Sequence, residues 1–400
     1  MMTSGDMLLG LEVLERRGHP WVDHARIGLL ANPASVNRDL VHAWQVIDSE
    51  KPGQITAIFS PQHGFWGDAQ ANMVETKHGW HQSLDVPVYS LYSETRRPTA
   101  QMLEKIDCLI VDLQDVGTRI YTFAWTLLEC MRACAEANVS MLILDRPNPL
   151  GGCIVEGPIL SRGCQSFVGG ALIPMRHGLT IAELGRLFRR REHLDLALET
   201  IAMESWCSDS IWKDLGRAWI PPSPNLPTSH SVRLYPGQVL LEGTNLSEGR
   251  GTTVPFEMIG APFIDDAEAL AAELQQVVAD SVRVLPACFR PTFDKWAGEL
   301  CGGISIHVVE PDRFRSFAMT IHLLAEIQRL YPSRFRWLDP PYEYEFEKQP
   351  IDILYGNEHL RLQLGVVEPS LLSAAPNLAH YREDVGESLL YSSDETRFRE

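Results

Sequence analysis

Short runs of β-branched and aliphatic residues recur through the first half of the chain, and most are followed by a stretch in which apolar positions return at helical spacing. Runs at 26–30, 54–59, 86–91, 107–113 and 139–144 read as strands, because each is only a few residues long and is bounded by turn-forming residues. Helical spacing marks 41–50, 99–105, 121–137 and 181–190. Strands that alternate with helices over this length predict an α/β fold, with a mostly parallel sheet covered by helices on both faces. The pattern changes near Gly260. A strongly periodic helix at 265–280, a strand at 302–309, a second long helix at 311–330 and a loop-rich remainder with a short strand near 351–354 predict a separate, smaller α+β C-terminal domain, with the boundary near 250 to 260. The division is placed at 1–252 and 253–400, and the tail YSSDETRFRE reads as a frayed terminus.

In open parallel sheets ligands bind beyond the carboxyl ends of the strands. Three of the predicted strands run into polar, turn-rich segments there: SPQHGFWGD, QDVGTRIYT and DRPNPLGG. They deliver Gln62, His63, Asp112, Asp115, Arg119, Tyr121, Asp145, Arg146 and Asn148 to one edge. Each has an ordinary alternative, since Asp145 can cap a turn and Asn148 before Pro149 can start one, but coincidence at three strand ends predicts a shared site. A long irregular stretch at 219–255 adds Ser223 and Asn225 from a proline cluster. Its EGTNLSEGRGT segment adds Glu242, Asn245, Glu248 and Arg250 among glycines that would let backbone approach a ligand. GRGT lacks the spacing of a phosphate-binding loop.

The 400 residues predict about two or three domains, and 45% hydrophobic with 22% charged residues is the composition of a folded globular protein. Charge narrows the partners: 35 Lys and Arg against 52 Asp and Glu leave −17, a field that repels nucleic acid and anionic membranes. Arg189, Arg190 and Arg191 close a helical pattern, where cations suit the helix C-terminus. No window of about 20 residues is uninterruptedly apolar, and the opening segment carries Asp6, Glu12 and Glu15 where a signal peptide needs an apolar run. Eight cysteines without a CxxC pair suit a reducing compartment. The expectation is a cytoplasmic protein.

His63, His78 and His81, with Asp68 and Glu75 nearby, offer metal-ligand atoms, but their spacing matches no HExxH or comparable motif, so no metal is expected. No GxSxG elbow is present. No GxGxxG follows the first strand, where GLLANPASV stands, so no cofactor is expected. What the strand ends do offer is carboxylates, amides, arginines and aromatics such as Phe65, Trp66, Tyr92 and Trp125. Such a mixture suits a sugar, with aromatic faces against the ring, polar groups on the hydroxyls and a carboxylic acid for the glycosidic oxygen.

The ordered strings PQHGFWG, VPVYSLY, KIDCLIVDLQDVGTRIYT, LDRPNPLGG, VEGP, SFVGG, PMRHGLT, PPSPNLPT, YPG and LEGTNLSEGRGTTVPFEMIGAPF give the chain a second reading. From about residue 10 to the C-terminus it resembles the NamZ family of exo-β-N-acetylmuramidases. The resemblance implies a Rossmann-like catalytic domain, an auxiliary C-terminal domain, and release of terminal N-acetylmuramic acid from the non-reducing ends of peptidoglycan fragments. A muropeptide or amino-sugar glycan is then the partner, met in the cytoplasm as part of cell-wall recycling. It also implies substrate contacts for Arg146, Arg176 and Arg250, whose guanidinium groups suit the lactyl carboxylate of muramic acid, and places His177 in the HG of PMRHGLT beside them. One position departs. The family reads PEHG, its Glu being the proposed acid, where this chain has Pro61, Gln62, His63 and Gly64. An amide cannot act as that acid, so the role moves to another carboxylate, with Glu242 and Glu248 favoured, or the protein binds muropeptides without turnover. A metal-dependent hydrolase built on the His63 loop is the third alternative.

Overall fold

The structure, a computed structural model, describes residues 7–70, 73–278, 280–391 and 397–398. Seven strands form the main sheet: β1 (Ile27–Ala31), β2 (Ile55–Ser60), β3 (Gly79–His81), β4 (Val86–Ser90), β5 (Cys108–Asp112), β6 (Ser140–Leu144) and β7 (Leu198–Ile201). Their order is β3-β4-β2-β1-β5-β6-β7. All neighbours are parallel except the edge pair β3 and β4. The predicted mostly parallel sheet is therefore present, and β1 and β5 at its centre are buried along their whole length. Helices on both faces explain that, and they explain why these strands read as continuous apolar runs without alternation.

A second sheet, β8 (Met258–Ala261), β10 (Cys301–Val308) and β9 (Val282–Phe289), is antiparallel in the order β8-β10-β9. The helices Ala267–Val277 and Ser316–Leu330 belong to this part of the chain. One hydrophobic cluster runs from Leu30 and Phe59 through Phe256 and Phe317 to Tyr381, so the two sheets share a core.

Two expectations fail for local reasons. Residues 351–354 lie in a helix, Pro350–Tyr355, whose side chains are all buried. Proline opens it at the first turn, where the missing N–H costs nothing, and a fully buried single turn shows no periodicity to distinguish it from a strand. The stretch 219–255 is not wholly irregular either, since Ser229–Gln238 is helical and continues into a turn of 3-10 helix at Val239–Gly243. Pro236 and Gly237 disguised this helix. Gly237 is needed because a Cβ there would lie 2.2 Å from the Ser316 carbonyl oxygen, and its N–H donates to Ser316 Oγ at 2.9 Å.

The last stretch of the chain returns to the main sheet. Asp384, on the helix Leu378–Val385, pairs with Arg190 and Arg191 at the end of the helix Ile181–Arg191. The expected frayed tail is anchored where it is described: Tyr391 Oη donates to Asp145 at 2.6 Å, Arg397 pairs with Glu183 at 2.6 Å, and Phe398 is fully buried. Residues 392–396 and 399–400 lie outside the described residues, as do residues 1–6 of the opening segment. No helix among the described residues is long and apolar enough to cross a membrane. None of the eight cysteines forms a disulfide.

Candidate active site

Strand order reverses between β1 and β5, which opens a crevice at the carboxyl edge of the sheet. A small, mostly polar cavity lies at that edge. Gln62 and His63, from the loop after β2, form one wall, and Tyr121 with Thr122 comes from the segment after β5. Asn225 and Ser223 come from the proline cluster, Glu242 and Arg250 from the segment after the Ser229–Gln238 helix, and Tyr342 with Glu343 from the C-terminal half. Seven of the residues expected from the sequence thus share one cavity: Gln62, His63, Tyr121, Ser223, Asn225, Glu242 and Arg250.

Local structure decides how each is presented. His63 sits at φ 75°, a left-handed conformation uncommon outside glycine. Its Nδ1 donates to the Ala69 carbonyl oxygen at 2.7 Å. A carbonyl only accepts, so Nδ1 carries the hydrogen and Nε2 is left as an acceptor. Burial is the main reason its pKa falls to about 4, with Arg250 pushing the same way against the bond to Ala69. His63 is therefore neutral across physiological pH. Its ring nitrogen resonances should stay constant between pH 5 and 8 in ¹⁵N NMR, and a midpoint near 6.5 would contradict this environment.

Gln62 Oε1 accepts from Thr122 Oγ1 at 2.9 Å, and Asn225 Nδ2 donates to the Gln70 carbonyl at 2.8 Å. Burial holds Tyr121, Tyr235 and Tyr342 as neutral phenols. Tyr342 uses its hydroxyl to donate to Glu242 Oε2 at 2.6 Å, while Arg250 Nη2 donates to Glu242 Oε1 at 2.7 Å. Glu248 is not in the cavity wall. It lies behind Arg250, pairing with its Nε at 3.1 Å and with Lys295 at 2.9 Å. Burial alone would raise its pKa, but Lys295 and Arg250 outweigh burial and hold it below the ordinary carboxylate range. The glycines of EGRGT serve the fold, since Gly251, at φ 79°, packs against Phe293 where a Cβ would lie 2.6 Å from that carbonyl oxygen.

The sequence reading missed Glu343. This residue is buried, accepts a 2.7 Å hydrogen bond from Tyr92 Oη, and has a pKa raised to about 7, chiefly by burial. The signal available was a carboxylate between two tyrosines in PPYEYEF, an apolar setting where a charged side chain is expensive.

The other expected site residues are spent on the protein itself. Arg146 binds Asp112 through two bonds, 2.5 Å and 2.8 Å, and donates to the Val36 carbonyl. Arg176 pairs with Glu156 at 2.9 Å and donates to Leu150 O. Arg119, 1% exposed, donates to the carbonyls of Pro158, Ile173, Leu354 and Tyr355. Asp115 accepts from Gly117 N and faces His177 Nε2 at 3.6 Å, and His177 Nδ1 accepts from Leu179 N. Asn148 bridges Leu179 and Leu150, and Asn245 bridges Arg334 and Arg336. Strand ends in a parallel sheet leave many polar backbone groups to satisfy, and the same side chains that suit a ligand suit them. The three loop histidines separate: His78 pairs with Glu94, and His81 packs among Trp44, Phe65 and Trp66. Among the described residues, no cluster of three His, Cys, Asp or Glu is arranged to hold a metal.

A doubly wound sheet carrying, at its carboxyl edge, a polar pocket with one cation-paired carboxylate, one raised-pKa carboxyl, neutral phenols and a neutral imidazole has the groups that a carbohydrate-acting hydrolase uses. Comparison agrees. Residues 27–230 match the N-terminal and 233–391 the C-terminal model of the exo-β-N-acetylmuramidase NamZ. The peptidoglycan β-N-acetylmuramidase NamZ of Bacillus subtilis (strain 168) is 43% identical over 313 residues, 78% of this chain and 75% of that protein. Two DUF1343 family crystal structures from Bacteroides fragilis NCTC 9343 share the fold. One has a TM-score of 0.85 at 29% identity, covering 96% of this chain and 99% of its own. The other has a TM-score of 0.74 at 27% identity, covering 98% and 100%. The chain belongs to the NamZ family of exo-β-N-acetylmuramidases.

Proposed function

We propose that the cavity takes the terminal N-acetylmuramic acid of a peptidoglycan fragment and that the protein releases it from the non-reducing end by hydrolysis. The observation that carries this reading is the combination, in one pocket of a NamZ-family chain, of two carboxyl groups in different electrostatic settings. Cation-paired Glu242 and unpaired Glu343 are the pairing that glycoside hydrolysis uses. Arg250 is the guanidinium at the cavity, and its Nη1 is buried without a hydrogen-bond partner. It is the binding group for the lactyl carboxylate. His63 Nε2, Gln62, Tyr121 and Asn225 supply acceptors and donors for the sugar hydroxyls and acetamide. Residues 1–252 carry most of the pocket wall, and residues 253–400 contribute Phe256, Tyr342 and Glu343. Muropeptides are the substrate class, and cysteines that form no disulfide support a reducing, cytoplasmic setting and a role in cell-wall recycling.

The test is hydrolysis of a chromogenic β-N-acetylmuramide against the β-N-acetylglucosaminide, with and without EDTA. Turnover of the muramide at least about 100-fold above the glucosaminide is expected, because loss of one charged contact in a buried site costs about 3 kcal/mol. EDTA should change neither rate. Absence of turnover in the wild type together with its appearance in Gln62→Glu would mark a binding protein and overturn the reading.

A further inference from the structure

We infer that Glu343 is the catalytic acid of this protein, taking the place of the carboxylate that Gln62 lacks; the inference rests on the muramidase reading above. Among the described residues lining the cavity, the only carboxyl groups are Glu242 and Glu343. Glu242 accepts from Arg250 on one oxygen and from the Tyr342 hydroxyl on the other, so both of its oxygens are already engaged by the protein. Glu343 has no cation at salt-bridge distance among the described residues. Tyr92 donates to its Oε2 at 2.7 Å, which leaves Oε1 to carry the proton.

Backbone geometry points the same way. Tyr342 and Glu345 exchange both backbone hydrogen bonds at 2.9 Å, so Glu343 and Tyr344 are the two central residues of a hairpin turn. Both lie in the left-handed region, at φ 46° and 65°. Turns with two such positions are dominated by Asn-Gly and similar pairs, because larger side chains are strained there. A buried Glu followed by Tyr is a poor choice for making the turn. The conformation is held from outside: the Glu343 N–H meets Met73 Sδ at 3.3 Å, and Arg96 lies over the Tyr92 and Tyr344 rings at 3.9 Å and 4.5 Å. Strain of this kind, maintained by surrounding contacts, collects where a side chain must be presented to a reaction.

The groups facing Glu343 are Tyr92, Glu242, Arg96, Arg250, Tyr235 and Tyr342. Burial and Glu242 favour its neutral form, while Tyr92, Arg96 and Arg250 oppose them, and the balance leaves the carboxyl titrating at about 7. In the reaction the proton passes from Glu343 to the glycosidic oxygen as the bond from that oxygen to the anomeric carbon breaks, its electron pair staying on oxygen. Water then supplies the hydroxyl of the released sugar and returns a proton to Glu343, so the enzyme is regenerated. Because the active form is protonated, kcat/KM falls as pH rises through about 7.

The experiment compares wild type, Glu343→Gln and Glu343→Asn on two substrates, an aryl β-N-acetylmuramide with a good leaving group and a muramic-acid-terminated disaccharide whose leaving sugar needs protonation. Melting temperature is read alongside. The expected result is a loss of about 10³-fold or more on the disaccharide, a loss at least tenfold smaller on the aryl substrate, and disappearance of the alkaline limb. Glu343→Asn, suited to the turn, is expected to melt no lower than the wild type. A variant that keeps disaccharide turnover within tenfold, or loses both substrates equally while folded, overturns this assignment alone. A wild type inactive on both substrates overturns the muramidase reading and the assignment with it.

Discussion

Arg250→Met is expected to cost about 3–5 kcal/mol of stability and to abolish turnover of the muramide. Arg250 is 5% exposed and holds two buried carboxylates at once, Glu242 at 2.7 Å and Glu248 at 3.1 Å, with its guanidinium 5.0 Å from the centre of the Phe256 ring. Its removal takes the guanidinium away from both carboxylates, Glu242 beside the Tyr342 hydroxyl and Glu248 beside Lys295. Breaking a buried pair from one side is costly because the remaining charge has lost both water and partner. Urea unfolding checks the magnitude through a lowered midpoint at unchanged slope. Arg250→Lys restores the charge without the planar fork that serves two carboxylates, so it should recover some of the stability and little of the affinity for the muramide. A midpoint within experimental error of the wild type for Arg250→Met would show that the carboxylates do not depend on it.

The second large effect belongs to Asp112 and Arg146, whose ion pair is 0% and 2% exposed and joined by bonds of 2.5 Å and 2.8 Å. Asp112→Leu alone should destabilise by about 3–5 kcal/mol, since it strands a guanidinium at the sheet edge. Arg146→Met alone should do the same by stranding a carboxylate. The double variant removes both charges and should recover most of that loss, because a packed apolar pair avoids the desolvation that the ion pair had to offset. The three variants form a cycle whose coupling energy, from urea unfolding, measures the pair directly. Additive losses would mean that each residue acts through separate contacts. Such a result would return Arg146 to the candidate substrate contacts.

These pairs show why the site was only partly legible. Arg119, Arg146, Arg176 and Arg250 look alike in the sequence, each in a polar segment after a strand or beside glycines. Only Arg250 reaches the cavity. A guanidinium recognises a carboxylate whether it belongs to a sugar or to Asp112, and spacing along a chain does not say which is nearer. Gln62 and His63 do reach the cavity, because β2 ends at Ser60 and the loop has nowhere to go but the carboxyl edge. Glu343 showed in the sequence only its aromatic neighbours in PPYEYEF. Its role depends on a hairpin turn packed against Met73, Tyr92 and Arg96, contacts made by residues far away in the chain.

The division between sequence and structure follows from the range of the forces involved. Alternation of apolar runs with helical spacing dictates the parallel sheet, since a strand covered on both faces must be apolar on both, and the resulting strand ends specify where a ligand can bind. The ordered motifs carry the family. The exceptions within the fold, the buried turn of helix at Pro350–Tyr355 and the helix containing Pro236 and Gly237, are places where packing overrules local preference. The protonation states are set at longer range still. Glu242 and Glu343 are the same residue type lining the same cavity, yet one is bound by Arg250 and the other is pushed to about 7 chiefly by burial. That difference exists only once the chain has brought charge, aromatic surface and water exclusion to the same point, because each acts through space.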